Sequence, residues 1–392
     1  MKNWKITFFC FVQICTLVSI LGCSNSVKPV HKSSATEWTS FRGNLPQADG
    51  TATEKIKPPL YEFWTFKAKD EIRSSPVLSK GILVFGSNDG SVYGVNPDSG
   101  KKIWEFKTED VIIASPLVIN DRVYIGSFDK YFYELDLKTG RMLRKFETSL
   151  NKKGQKSVNS GCVIKSSAAT DGRSVFFGCN DRRIYALDLN TFQIRWTYQT
   201  NDWVEAAPLA IDGRVYCGSN DGNMYAFDAD SGVKIWEFPT SNSVYSTPAI
   251  LDGNLYFTSW DGNVYSIKAE TGQLVWKTKI DEQASASPAI VGGTLVVGGM
   301  FNGGLAGIDV KSGKIKWEMN TSGGFDAGPS VSGNIVYVGS MDNYLYAVNP
   351  DDGKVIWKVL LKDTIRDSCA IANNALYVGT RRGVMHAFTP GK

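Results

Sequence analysis

The stretch GSNDGSVYGVNPDSGKKIW, Gly86 to Trp104, decides the fold because it returns. GSNDGNMYAFDADSGVKIW stands at Gly218 to Trp236, and GSMDNYLYAVNPDDGKVIW at Gly339 to Trp357. Met once, a segment so rich in Gly, Asn and Asp reads as a ligand loop. Met repeatedly, it reads as architecture. Aligned on small-x-Asp/Asn-x-x-Thr/Ser-Gly-x-x-x-Trp, the Trp slot holds Trp64, Trp104, Arg144, Trp196, Trp236, Trp276, Trp317 and Trp357. The spacings are 40, 40, 52, 40, 40, 41 and 40. About twelve residues after each Trp comes Ser-Pro or a near relative, at Pro76, Pro116, Pro208, Pro248, Pro288 and Pro329, with Ala168 and Cys369 in the third and eighth units. An aromatic slot follows at Tyr93, Tyr133, Tyr185, Tyr225, Tyr265 and Tyr346, with Ala306 and His386 as the exceptions.

Each unit reads as four short strands. In the first, SSPVLS, GILVFGS, SVYGVN and KIWEF are separated by Lys-Gly, Asn-Asp-Gly and Pro-Asp-Ser-Gly turns. A period near 40 with four strands per unit predicts an all-β propeller of four-stranded antiparallel blades. A solenoid would need capping units with a different outer face, and none is visible. The repeats begin on a Trp strand, Trp64, and end after GVMHAFTPGK without one. The Trp64 strand therefore completes the last sheet, which closes a ring of eight blades and leaves no open edge. In the turns, Gly100 and its equivalents reverse the chain and Asp or Asn caps it. FDADSG, with Asp228 and Asp230, is not a calcium loop: Gly falls at its fifth position and Pro239 at its twelfth.

At 392 residues and 43% hydrophobic content the chain supports a sizeable core. Its net charge of +4 comes without a basic cluster, which argues against nucleic-acid binding. Lys2 and Lys5 precede an apolar run, Ile6 to Leu21, that is short for a membrane span. The run ends in Ile20-Leu21-Gly22-Cys23, which resembles a bacterial lipobox. Residues 1–22 are thus expected to be a lipoprotein signal peptide, Cys23 the lipid anchor, 23–37 a polar tether and 38–392 the propeller. Cys162, Cys179, Cys217 and Cys369 remain, with no CxxC and no adjacent pair, so metal and haem motifs are absent. Two disulfides, with Cys162–Cys179 the first to test, and small buried strand residues are both open readings.

These residues resemble the PQQ-like β-propeller repeat family over about residues 38 to 390, and WTSFRGN, Trp38 to Asn44, resembles its lead-in. With a lipobox ahead of eight blades, the chain is similar to the BamB-like outer-membrane assembly lipoproteins of that family. The resemblance implies a lipid-anchored scaffold in the bacterial envelope, at the outer membrane and facing the periplasm. It would be monomeric by itself, with the β-barrel assembly machinery as partner. The same fold hosts quinoprotein dehydrogenases, so a PQQ-binding or other small-ligand protein is the alternative. Those enzymes use an adjacent cysteine pair, a calcium held by acidic and amide groups, and a catalytic Asp. No Cys-Cys exists here, and neither Gly-x-Ser-x-Gly nor His-Glu-x-x-His occurs. Of two histidines, His31 lies in the tether and His386 in the Tyr slot. The chain is therefore read as no enzyme, with no metal and no cofactor.

Function must lie where the units differ. Three residues before the Ser-Pro position stand Arg73, Ile113, Lys165, Glu205, Tyr245, Ser285, Asp326 and Arg366, expected as a ring at one mouth of the central channel. That ring suits either a solvated channel lined by charge pairs or a small anionic or amphoteric ligand. The adjoining turns carry Phe128, Trp260, Met341 and, in the longer sixth-unit turn, Met300 and Phe301, with Trp203 on the same face. Large apolar residues in exposed turns suggest a partner surface where they adjoin. The third unit has twelve extra residues around Lys152, Lys153 and Lys156, either a docking loop or a tolerated insertion.

Overall fold

The computed structural model describes residues 37–43, 50–148, 163–301 and 304–391. Cys23, the signal and tether segments, Cys162 and the three insertion lysines lie outside the described residues. The described chain forms eight sheets of four antiparallel strands, one of them extended by a short parallel fifth strand, and in the first seven the strands follow chain order from inside to outside. Blade 1 comprises Val77–Ser79, Ile82–Gly86, Ser91–Val95 and Lys102–Lys107. Blade 8 comprises Ala370–Ala372, Ala375–Gly379, Val384–Pro390 and, as its outer strand, Leu60–Lys67. Leu60 pairs with Pro390 and Lys67 with Val384, so the two ends of the repeat array close one sheet. The expected eight-bladed propeller, closed by the N-terminal Trp strand, is the fold.

The middle strands of blade 1 are buried at every residue, because a neighbouring blade covers each face of the sheet. Period-two alternation survives only in the outer strands, such as LYEFWTFK. There a bulge precedes each Trp slot: Gly94 pairs with Trp104 and Val95 with Lys102, leaving Ile103 as the extra residue. The bulge aims the indole inward and turns its predecessor out, which is why Ile103, Ile235, Val275 and Ile356 are exposed.

Each indole packs on the next blade. Trp64 Nε1 donates to Pro97 O at 2.7 Å, Trp196 to Ala229 O at 2.9 Å and Trp236 to Ala269 O at 3.0 Å. Gly100 lies beneath Trp64, where a Cβ would sit 2.7 Å from the ring, and its φ of 67° also favours glycine. Gly86, at the start of the quoted stretch, has a different duty. A Cβ there would fall 2.3 Å from Ile112, which the next blade lays across it. The two glycines are thus contact surfaces between blades, and the tyrosine between them fixes the turn: Tyr93 Oη donates to Asp89 at 2.7 Å.

The lead-in crosses the bore. Trp38 exchanges backbone hydrogen bonds with Leu78 in blade 1, and Val118 of blade 2 donates to Thr39 O at 2.7 Å. Arg42, 1% exposed, donates to Pro288 O in blade 6. Gly50 then accepts from Val331, and Thr51–Ala52 runs parallel to Ser330–Ser332 of blade 7 before the chain reaches Leu60. Inner strand edges that would otherwise be bare are covered.

Candidate binding cavity and its rim

A loop alternation sets the site. In Glu71-Ile72-Arg73-Ser74-Ser75-Pro76, Ile72 is buried against Gly379 of the preceding blade, so Arg73 faces the bore. Ile112, Ile164, Val204, Val244, Ala284, Phe325 and Ile365 repeat the buried position. The eight residues that follow them, Arg73, Ile113, Lys165, Glu205, Tyr245, Ser285, Asp326 and Arg366, all line one cavity of about 600 Å³. Phe128, Trp203, Trp260 and Met300 join that lining; Met341 and Phe301 do not. Phe301 is 61% exposed on the outer side of the rim, beside Met300. Each turn is pinned to the loop entering its own blade: Phe128 N donates to Val111 O at 2.9 Å and Trp260 N to Ser243 O at 2.8 Å.

The ring divides by chemistry. Tyr245 and Trp260 pack at 4.7 Å between centroids. Lys165 Nζ stands 5.9 Å from the Phe128 ring and 5.7 Å from Trp203, so Phe128 is linked to the other aromatics through a cation. The aromatic side therefore runs from blade 2 to blade 6. The charged side spans blades 7, 8 and 1, where Arg366 pairs with Asp326 at 3.8 Å and Arg381 with Glu71 at 3.3 Å. One further pair, Lys165 with Glu205 at 2.7 Å, lies within the aromatic side. Ser285 Oγ donates to Asp326 at 2.6 Å.

Three features escaped the sequence reading. Below the ring, backbone N–H groups donate to hydroxyls of the next blade: Ser75 to Ser115, Ser115 to Ser167, Thr247 to Ser287 and Ser368 to Ser75, all at 2.9–3.0 Å. The Ser of Ser-Pro is therefore a blade-to-blade link. Phe41 of the lead-in lines the cavity from its inner end. Asp367 is the third. Its column holds Ser74, Ala114, Ser166, Ala206, Ser246, Ala286 and Ala327 in the other units, so an acid among small residues was a readable signal. Burial pushes its carboxyl up to about 7, and Asp326 adds to the shift; Arg73, Arg381 and Arg366 oppose it.

Cys179, Cys217 and Cys369 are buried, and burial pushes the Cys369 thiol up to about 12, as expected of inert core residues. Cys217 and Cys369 are free thiols. No group of three or more His, Cys, Asp or Glu suited to a metal occurs among the described residues.

Eight blades around a lined bore, seven of them carrying the Trp of the repeat and one an Arg in its place, define the class, a PQQ-repeat β-propeller. The family model described as outer membrane protein assembly factor BamB matches residues 61–158, 147–287, 241–324 and 301–391, and the chain belongs to that family. Among solved structures, BamB from Moraxella catarrhalis is 21% identical, with a TM-score of 0.70, over 85% of this chain and 98% of that one. A quinohemoprotein alcohol dehydrogenase from Pseudomonas putida is 14% identical, with a TM-score of 0.76, over 91% and 81%. A europium-containing methanol dehydrogenase is 12% identical, with a TM-score of 0.73, over 91% and 98%. At these identities the structural likeness shows the fold, which BamB and quinoprotein dehydrogenases share. No curated protein matches the sequence.

Proposed function

We propose that the protein is a lipid-anchored propeller of the bacterial envelope, serving as a protein-interaction scaffold in outer-membrane protein assembly. The observation that carries this reading is the aromatic and Met rim, where Trp203 is 43% exposed and Phe301, next to Met300 in the chain, is 61% exposed. Apolar side chains presented together on one face favour protein contact. Family membership favours the β-barrel assembly machinery as partner, and the resemblance of Ile20-Leu21-Gly22-Cys23 to a lipobox favours an anchor at Cys23 with the propeller in the periplasm.

The quinone cofactor of the dehydrogenases fits this cavity poorly. Pyrroloquinoline quinone carries three carboxylates, whereas Glu205, Asp326 and Asp367 already stand in the wall and two of its three cations, Lys165 and Arg366, are paired. A bound chromophore in the purified protein would nevertheless favour that rival. The deciding experiment is affinity purification from solubilised membranes. Co-purification of a large outer-membrane barrel, with Cys23→Ser moving the protein to the soluble fraction, is the expected result. A protein that purifies alone, and whose Cys23→Ser form stays in a carbonate-washed membrane pellet, overturns the reading.

A further inference from the structure

We infer that the cavity binds a single carboxylate attached to a flat apolar body, with the carboxylate on Arg73 and the body against Trp260 and Tyr245. This goes beyond the scaffold role and does not depend on it.

The argument begins with charge. Lys165, Arg366 and Arg381 each have a carboxylate partner, but Arg73 has no ion pair or side-chain hydrogen bond among the described residues. With Asp367, its electrostatic neighbour, protonated, this one guanidinium without an ion pair matches one carboxylate, since it offers a forked pair of donors to a planar acceptor. Further carboxylates would meet Glu205 and Asp326. Donors are also in local surplus: Trp260 Nε1 and Arg366 Nε are buried beside the cavity without a hydrogen-bond partner among the described residues. Opposite the arginines, the Tyr245–Trp260 pair and Met300 offer an apolar surface that a flat group can cover.

Shape limits the ligand further. Lining side chains reach the level of Ser75, and the lead-in bonds to Leu78 just beyond, with Phe41 between. A ligand therefore enters from the rim with one end first and does not thread the bore. Two sources share this chemistry: a free arylalkyl carboxylate, and the C-terminal residue of a peptide chain. Asp367 adds a pH signature. Near neutrality it takes up a proton and can then donate to the incoming carboxylate; Arg73, Arg381, Arg366 and Asp326 are the charged groups that face it. Affinity is accordingly higher at pH 6 than at pH 8.

The test is calorimetric titration of the full chain with four probes. They are 3-phenylpropionate, its neutral analogue 3-phenylpropanol, a short peptide ending in Phe with a free carboxylate, and the C-terminal amide of that peptide. At least one acid is expected to saturate a single site, with its neutral counterpart about tenfold weaker or more. Arg73→Gln should lower acid affinity by about tenfold and leave the neutral probe unchanged. Arg73→Lys, the safer variant for folding, should retain part of the affinity. A peptide tighter than 3-phenylpropionate identifies a chain end as the source; equal affinity identifies a free acid. The inference is overturned if neither acid saturates at millimolar concentration, if neutral probes bind as tightly as acids, or if Arg73→Lys in a folded protein matches the original chain for every probe.

Discussion

Gly232 and Gly213 share a backbone conformation, φ 70° and 73°, yet only Gly232 lies under an indole. A Cβ at Gly232 would sit 2.5 Å from Trp196, whereas nothing lies within 4 Å of one at Gly213. Both alanine variants carry the left-handed strain of roughly 1 kcal/mol. Only Gly232→Ala adds overpacking, so its urea-derived stability loss should exceed that of Gly213→Ala by about 1–3 kcal/mol. Equal losses would show that the indole does not depend on that gap. At Asp367 the variable is pH. Its carboxyl is raised from the ordinary value of 3.8 to about 7, so the folded chain holds a proton that the unfolded chain releases. The stabilising contribution is full below the ordinary value and is lost as pH climbs through about 7. Asp367→Asn should therefore melt higher than the original chain at pH 8 and alike at pH 4; a difference independent of pH counts against the assignment. Residues of this kind were only partly legible. The recurring Trp and Gly announced themselves by period, but which blade each one touches depends on a packing partner 33 or more residues away.

Among the elements, blade 2 breaks the repeat in a concerted way. Arg144 takes the Trp slot, Glu134 the small position beneath it, and Phe192 of blade 3 the glycine position, with φ 59°. Arg144 donates to Leu189 O and Asn190 O at 2.9 and 2.7 Å, reproducing the indole's link to the next blade. Its guanidinium stacks 4.7 Å over Phe192 and pairs with Glu134, which is 3% exposed. Arg144→Trp alone should cost about 1–3 kcal/mol, because buried Glu134 loses its nearer cation and keeps only Arg122 at 3.6 Å and the Tyr124 hydroxyl at 3.3 Å. Adding Glu134→Ala and Phe192→Gly should recover most of that loss in thermal or urea unfolding, a coupling that independent sites would not show. The sequence displayed Arg144 as an exception but not its compensations, since those lie on another strand and in another blade. Strand order and blade number were legible because each turn recurs with its own chemistry. The bulges were not, because they insert one residue without disturbing the spacing of the repeat.

For the whole molecule, ring closure was readable from where the repeats start and stop, and the mouth residues from their place before Ser-Pro. The lead-in's path was not, because Trp38 and Arg42 find their partners across the bore rather than along the chain. That path makes the two faces of the propeller unequal: one carries the aromatic rim and cavity, the other the Asp-Ser-Gly turns. The claim that follows is that partners dock on the rim face. Site-specific photocrosslinking in living cells tests it most directly, with the probe at Phe301 on the rim or at Val233 in a turn of the other face, 61% and 63% exposed. An adduct with an outer-membrane β-barrel protein from Phe301, and none from Val233, is the expected result. Adducts from Val233 alone, or from neither position in a correctly anchored protein, would contradict it.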